Sequence, residues 1–252
     1  MIGCLSLVLK DTQMLVEVCA NSLQSAINAQ EAGADRIELC SELGVGGVTP
    51  SFGLMKLARQ HLQIPIHALI RPRGAHFTYS KPEFEVMLED IRQCKNLGVD
   101  GIVSGALNVD GTLDFEKTQQ LVEASKPLHF TFHRAFDWVP DPEESLKQLE
   151  DLGVNTILTS GKHLTAENGL QNLKEWQSKT KIIIMAGAGV NPQNALLFKN
   201  AGFRAVHLSG TQFENEVSMN RKVPMHSKKH LEEHHVAVTN TEIIRQTLQA
   251  VK

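Results

Sequence analysis

The chain has 252 residues, 42% hydrophobic and 21% charged, with 28 acidic against 25 basic side chains and a formal net charge of −3. That composition supports a large buried core, and no basic block stands out that would make nucleic acid an expected partner. No run of eighteen apolar residues occurs, so no membrane-spanning helix is expected.

The first thirteen residues, MIGCLSLVLKDTQ, read as an N-terminal extension, because they lack a basic start and a small-residue cleavage site. Residues 14–252 read as one domain. The first strand is expected over 14–19, followed by an amphipathic helix that stops at Gly33. Further strands are expected over 36–40, 64–70, 101–107, 128–134, 156–161, 181–187 and 205–210. Helices are expected from about Ser51, over 81–97 and over about 114–125. Asp141 and Pro142 suit the N-cap and first turn of another. Asn191 and Pro192 are expected to cap a helix running to Gly202. Residues 211–238 are polar and aperiodic and are expected to form a long irregular loop before a last helix over about 240–251. Helical crossovers imply parallel strands, and eight such units without a linker predict a closed (β/α)8 TIM barrel. The recurring AGADRIEL, LGVDGIVS, LGVNTILT and AGFRAVHL fit a repeated helix-stop, turn, strand unit.

Polar residues gather at the strand ends, where barrel chemistry sits. The first strand ends in Glu17 and Cys19 and the second in Glu38 and Cys40; side chains two apart share a strand face. Later ends deliver Arg71 and Arg73, then His133, Arg134 and Asp137, then Ser160 and Gly161, and finally His207, Ser209 and Gly210. Gly187 and Gly189 in MAGAGVNP expose backbone N–H groups near an expected helix N-terminus, a place where phosphate binds. The plain alternative is that Glu17, Glu38, Arg71 and His133 form a buried salt-bridge layer that plugs the barrel. The four cysteines, Cys4, Cys19, Cys40 and Cys94, are too sparse for a disulfide framework and point to a reducing cytoplasm. There Cys19 and Cys40, on neighbouring strands, would suit Cu(I). His226, His230 and His234 have the spacing of one helix face and could hold Zn²⁺ or Cu²⁺, though their polar surroundings read as a solvated segment.

The strings EVC, GADRIELC, GGVTPSFG, IRPRG, YS, GALNVDG, TFHRAFD, LTSG and MAGAGV, in this order over residues 14 to 210, resemble the CutC copper homeostasis family. The resemblance implies a cytoplasmic (β/α)8 barrel and a homo-oligomer, with a dimer favoured. It also implies intracellular copper handling, with Cu(I) on the cysteines matched here by Cys19 and Cys40. In two places the chain departs from the family pattern. Ala75 and His76 stand where the family's loop often has Gly and Asp, and HLSG replaces a more hydroxyl-rich ending after the eighth strand.

Copper binding gives no work to the arginines, the histidine or the glycine turns, so a second reading is an enzyme or binder of a small phosphorylated or anionic metabolite. Its candidate catalytic residues are Glu17, Glu38, Arg71, His133 and Arg134. The candidate ligand-binding residues are Arg73, Asp137, Ser160, Gly161, Gly187, Gly189, Ser209 and Gly210.

Overall fold

A computed structural model of the chain describes residues 13–215, 223 and 235–252. The strands are β1 (Leu15–Ala20), β2 (Arg36–Leu39), β3 (Ile66–Leu69), β4 (Gly101–Ser104), β5 (His129–Phe132), β6 (Thr156–Thr159), β7 (Ile183–Gly187) and β8 (Ala205–Leu208). All eight pair in parallel and in chain order, and β8 returns to β1 to close the barrel. The helices are α1 (Leu23–Ala32), α2 (Phe52–His61), α3 (Lys81–Leu97), α4 (Phe115–Ser125), α5 (Pro142–Asp151), α6 (Leu170–Lys179), α7 (Ala195–Asn200) and α8 (Thr241–Val251). The predicted barrel is therefore the observed one.

Local chemistry explains the element ends. Gly33 takes φ 95° and its N–H bonds the carbonyls of Ala29 and Gln30, the left-handed stop expected of it. Ser80 and Glu83 form a reciprocal capping box on α3, and Asp141 caps α5 ahead of Pro142. The helix after β7 starts later than its Asn191-Pro192 signal suggested, at Ala195 with Asn194 as N-cap. Asn191 N–H donates to the Asn194 side chain and Asn194 N–H to the Asn191 side chain, so the two amides close a turn of their own. Several strands end two or three residues before their predicted limits. Residues such as Ile70, Ala106 and Leu107 stay buried after leaving the ladder, so their apolar character extended the expected runs.

The side chains pointing out from the strands, including Val16, Val18, Ile37, Leu39, Phe130, Phe132 and Ile184, make the main core against the helices. Side chains pointing in form two small apolar clusters, Leu158, Met185 and Ala205 in one and Cys19, Cys40, Leu69 and Val103 in the other. His67 is accommodated because Gly101 faces it on the next strand; a Cβ there would lie 2.5 Å from the ring.

The span 211–238 is not one loop, which corrects that expectation. β9 (Thr211–Asn215) and β10 (His235–Thr239) pair antiparallel. Their anchoring comes from distant polar side chains, which no local pattern reveals. Asn21 and Asn28 donate to the carbonyls of Ala237 and Thr239, and Thr239 N–H donates to the Ser25 hydroxyl. His226, His230 and His234 lie outside the described residues.

Non-glycine residues with positive φ gather on the loops after the strands: Glu42, Ala75, Lys162 and Ala188. Ala75 sits at φ 68°, in the left-handed region, so the chain carries a strain that glycine would avoid. Ala75→Gly is expected to raise stability by about 0.5–1 kcal/mol, the left-handed strain relieved less the glycine's own entropy. Urea unfolding checks this, and a destabilised variant would contradict it.

Candidate functional site at the barrel rim

The most buried charged side chain among the described residues is Glu17, on β1. Arg36 Nε on β2 donates to its Oε2, and His207 Nδ1 on β8 lies 2.8 Å from its Oε1. His67 Nδ1 on β3 stands 3.9 Å from the same carboxylate. Burial works to raise the Glu17 pKa, yet Arg36, the His207 hydrogen bond and His67 hold it well below the ordinary carboxylate range. The salt-bridge layer weighed from the sequence thus exists with a different membership. Glu17 and Glu38 belong to it, but their basic neighbours are Arg36, His207 and the neutral ring of His67, while Arg71 and His133 stand elsewhere.

Arg36, His67 and His207 were not assigned roles from the sequence. Two signals could have found them. Arg36 shares a strand face with Glu38 and Cys40, and His67 shares one with Leu69 and Arg71. His207 sits opposite Glu17 in the β1–β8 pairing, which only barrel closure creates.

Directly above lie the thiols. Cys19 and Cys40 are buried with their sulfurs 3.5 Å apart, and both are free. Ligand atoms of Cys19, Glu38 and His207 also fall within 4.8 Å of one another, and His207 Nε2 is 3.6 Å from Glu38 Oε2. The Cys19 thiol is pushed well above its usual pKa by its hydrogen bond with Cys40, by burial and by the Glu38 charge. Glu38 is raised chiefly by burial, with Glu17 adding to it and His207 opposing. His207 is raised too: burial opposes its charged form, but the Glu17 hydrogen bond and both carboxylates outweigh burial. The grouped donors are one sulfur, an imidazole and a carboxylate, and the Cys40 sulfur adjoins that of Cys19. With Nδ1 turned to Glu17, the ring presents Nε2 to the thiol side, the orientation a carboxylate gives to metal-binding histidines.

Cys19, Glu38 and His207 open into a cavity of about 290 Å³, whose wall also includes Arg71, His133, Arg134, Phe77 and Ser209. His133 is buried; its Nδ1 accepts the Ala135 N–H at 3.3 Å, which leaves the ring proton on Nε2. Burial and the nearby Arg71 charge lower its pKa to about 3, so it is a neutral ring at neutral pH. Arg71 is buried as well and donates to the carbonyls of Val45, Gly47 and Ala75, pinning the loops after β2 and β3.

Other predicted residues spend their polar groups on loop architecture. Arg73 is tied to Glu83 and to the carbonyls of Gly74, His76 and Thr78. Asp137 accepts from Thr159, Ser160, Lys162 and Arg134. The buried Ser160 hydroxyl donates to the His163 carbonyl at 2.6 Å and accepts from Arg134 Nη2 at 2.9 Å. Gly161, at φ 72°, lies against Gly169 and its N–H donates to Thr159. Gly187 leaves room for Leu158 and His207, since a Cβ would meet Leu158 at 2.5 Å. Gly189 lines the cavity, but the helix behind it begins only at Ala195, so no helix N-terminus adjoins it. Ser209 lines the cavity and lends its carbonyl to Thr239, and Gly210 lends its carbonyl to Asn240. No helix among the described residues is long and apolar enough to cross a membrane.

Comparison with known proteins agrees with this architecture. The profile of the CutC family matches residues 14–212. A family protein CutC of Bacteroides thetaiotaomicron is 43% identical over 242 residues, covering 94% of this chain and 97% of the relative. One from Salmonella newport is 48% identical over 196 residues, covering 77% and 79%. Among solved structures, the CutC chain of Streptococcus agalactiae aligns with a TM-score of 0.74 at 34% identity, over 78% of this chain and 98% of that one. The thiamine phosphate pyrophosphorylase of Pyrococcus furiosus, at 14% identity and TM-score 0.59, shares the barrel fold. With its profile spanning all eight barrel strands and relatives this similar, the chain belongs to the CutC family.

Proposed function

We propose that this protein handles copper by binding Cu(I) at the inner rim of the barrel, in a reducing compartment such as the cytoplasm. The carrying observation is the pair of buried free thiols with sulfurs 3.5 Å apart, beside an imidazole oriented by a carboxylate. Soft thiolates select Cu(I), and imidazole tolerates it. Cys19, Cys40 and His207 would hold the ion; Glu17 would fix the His207 ring, and Arg36 would fix Glu17. Glu38 would remain a neighbour, since a carboxylate suits harder ions. Support also comes from the Streptococcus agalactiae relative, which is described as a candidate copper homeostasis protein.

Competition against a chromophoric Cu(I) chelator under reducing conditions tests the reading. Wild type should bind one Cu(I), and Cys19→Ser with Cys40→Ser should lose more than about a hundredfold in affinity, because even outer-shell changes cost about 10–100-fold. Unchanged tight stoichiometry in the double variant would sink it. Zn²⁺ is the competing ion for these donors, being tetrahedral and tolerant of carboxylate. Glu38→Gln should therefore weaken Zn²⁺ and leave Cu(I) binding nearly intact. The homo-oligomer expected from the family is a separate proposal, tested by native mass measurement at micromolar protein.

A further inference from the structure

The cavity has a second chemistry on its β3–β5 side that copper does not use. Arg71 differs from the other arginines around it. Arg36 is paired with Glu17, Arg73 with Glu83 and Arg134 with Asp137. Among the described residues no carboxylate lies within ion-pair distance of Arg71, although its side chain is buried and bears a full charge. Three backbone carbonyls take three of its four terminal N–H groups, its buried Nε makes no hydrogen bond of ordinary geometry, and the neutral Tyr79 hydroxyl is its side-chain neighbour. A buried cation of this kind is costly unless an anion completes it.

His133 repeats the pattern. Its Nδ1 is satisfied by Ala135, and its Nε2, which then carries the proton, is buried without a partner. Both side chains pack on one ring: the Arg71 guanidinium carbon is 5.1 Å from the Phe77 centroid, and the His133 ring is 4.8 Å from it. Two residues, each with a buried donor that lacks a hydrogen bond, and one positive charge without a carboxylate therefore share a wall of the same cavity.

We infer that this wall is a binding site for a small carboxylate with an apolar body, held by Arg71 and His133. Two N–H donors match the two oxygens of a carboxylate. The multiple backbone donors that cradle phosphate are missing from this wall, since α7 starts at Ala195 and has only six residues. Leu43, Leu69, Leu158 and Val190 supply the apolar remainder. A volume of about 290 Å³ limits the occupant to on the order of ten non-hydrogen atoms, taking about 30 Å³ for each water-sized group.

The test uses metal-free wild-type protein labelled with ¹⁵N-histidine, titrated with butyrate, with the neutral isostere butyramide, and with inorganic phosphate. Butyrate should saturably shift the His133 side-chain signals while the ring keeps its proton on Nε2. It should bind at least about tenfold more tightly than butyramide, because a charged hydrogen-bond partner is what the site lacks. No saturable shift, equal affinity for butyramide, or tighter binding of phosphate would each overturn the proposal. His133→Leu should weaken butyrate about tenfold, and an unchanged affinity in that folded variant would also overturn it. If the variant does not fold, the wild-type titration decides alone. Because metal-free protein is used throughout, failure of copper binding would leave this result standing.

Discussion

Glu17→Ala is expected to cost about 3–5 kcal/mol of stability, as removing one partner of a buried ion pair usually does. Two groups lose their acceptor at once: Arg36, which is only 7% exposed, and the Nδ1 of His207. Little water reaches Arg36 to compensate, because it is buried in the barrel interior that also holds the apolar cluster of Leu158, Met185 and Ala205. For a domain of this size the loss should lower the melting temperature by roughly 10 °C, taking about 2–4 °C per kcal/mol. The ion pair itself is not the source of stability, since a well-packed apolar pair can replace such a bridge at little cost. Glu17→Leu combined with Arg36→Met should therefore recover most of the loss. Arg36 Nη2 already lies 3.7 Å from the Met185 sulfur, so a thioether fits its surroundings. Thermal and urea unfolding of the single and double variants decide the matter. A Glu17→Ala variant within about 1 kcal/mol of wild type would contradict the buried layer.

Stability should also fall steeply on mild acidification, beginning below pH 6.5. Burial lowers His67 from the ordinary 6.5 to about 3, His129 to about 4 and His133 to about 3, with the Arg36 charge adding to the first two and the Arg71 charge to the third. Below pH 6.5 the unfolded chain takes up protons at these three rings while the folded chain does not, so acid favours unfolding. Each such ring contributes up to about 1.4 kcal/mol per pH unit, giving roughly 4 kcal/mol per unit for three. Glu17 adds a further loss once pH falls below the ordinary carboxylate value of 4.5, because its folded pKa is depressed. His207 acts in the opposite sense: its pKa is raised, so its contribution is complete below 6.5 and lost as pH rises through its folded value. Melting temperature measured from pH 8 to pH 4 should peak near neutrality and drop sharply below pH 6.5. A flat profile between pH 6.5 and 5 would show that these rings are not held neutral.

The barrel was legible because eight short apolar runs alternate with helical stretches and four of those helices run into a glycine stop, and those signals are local. Placing Glu17, Cys19, Glu38 and Cys40 on one rim followed from strand alternation and parallel neighbours. What stayed hidden depends on closure or on distant partners. Arg71 and Arg73 are two residues apart in one loop, yet only Arg73 finds a carboxylate, and that carboxylate belongs to the capping box of α3. Asp137 and Ser160 looked like free ligands because each is polar at a strand end, but they satisfy one another across the loops after β5 and β6. His207 gained a role only when β8 met β1. The pairing of β9 with β10 was not legible because TQFEN carries a single apolar residue and its partner lies about twenty residues away.

The central claim is that two thiols and one imidazole of this rim hold Cu(I). X-ray absorption at the copper edge of the stoichiometric, reduced complex reports the ligand elements directly. The account predicts two sulfur neighbours and one nitrogen neighbour, with the nitrogen lost in His207→Ala and the sulfurs lost in Cys19→Ser with Cys40→Ser. A copper environment made only of nitrogen and oxygen, or one unchanged by these substitutions, would contradict it.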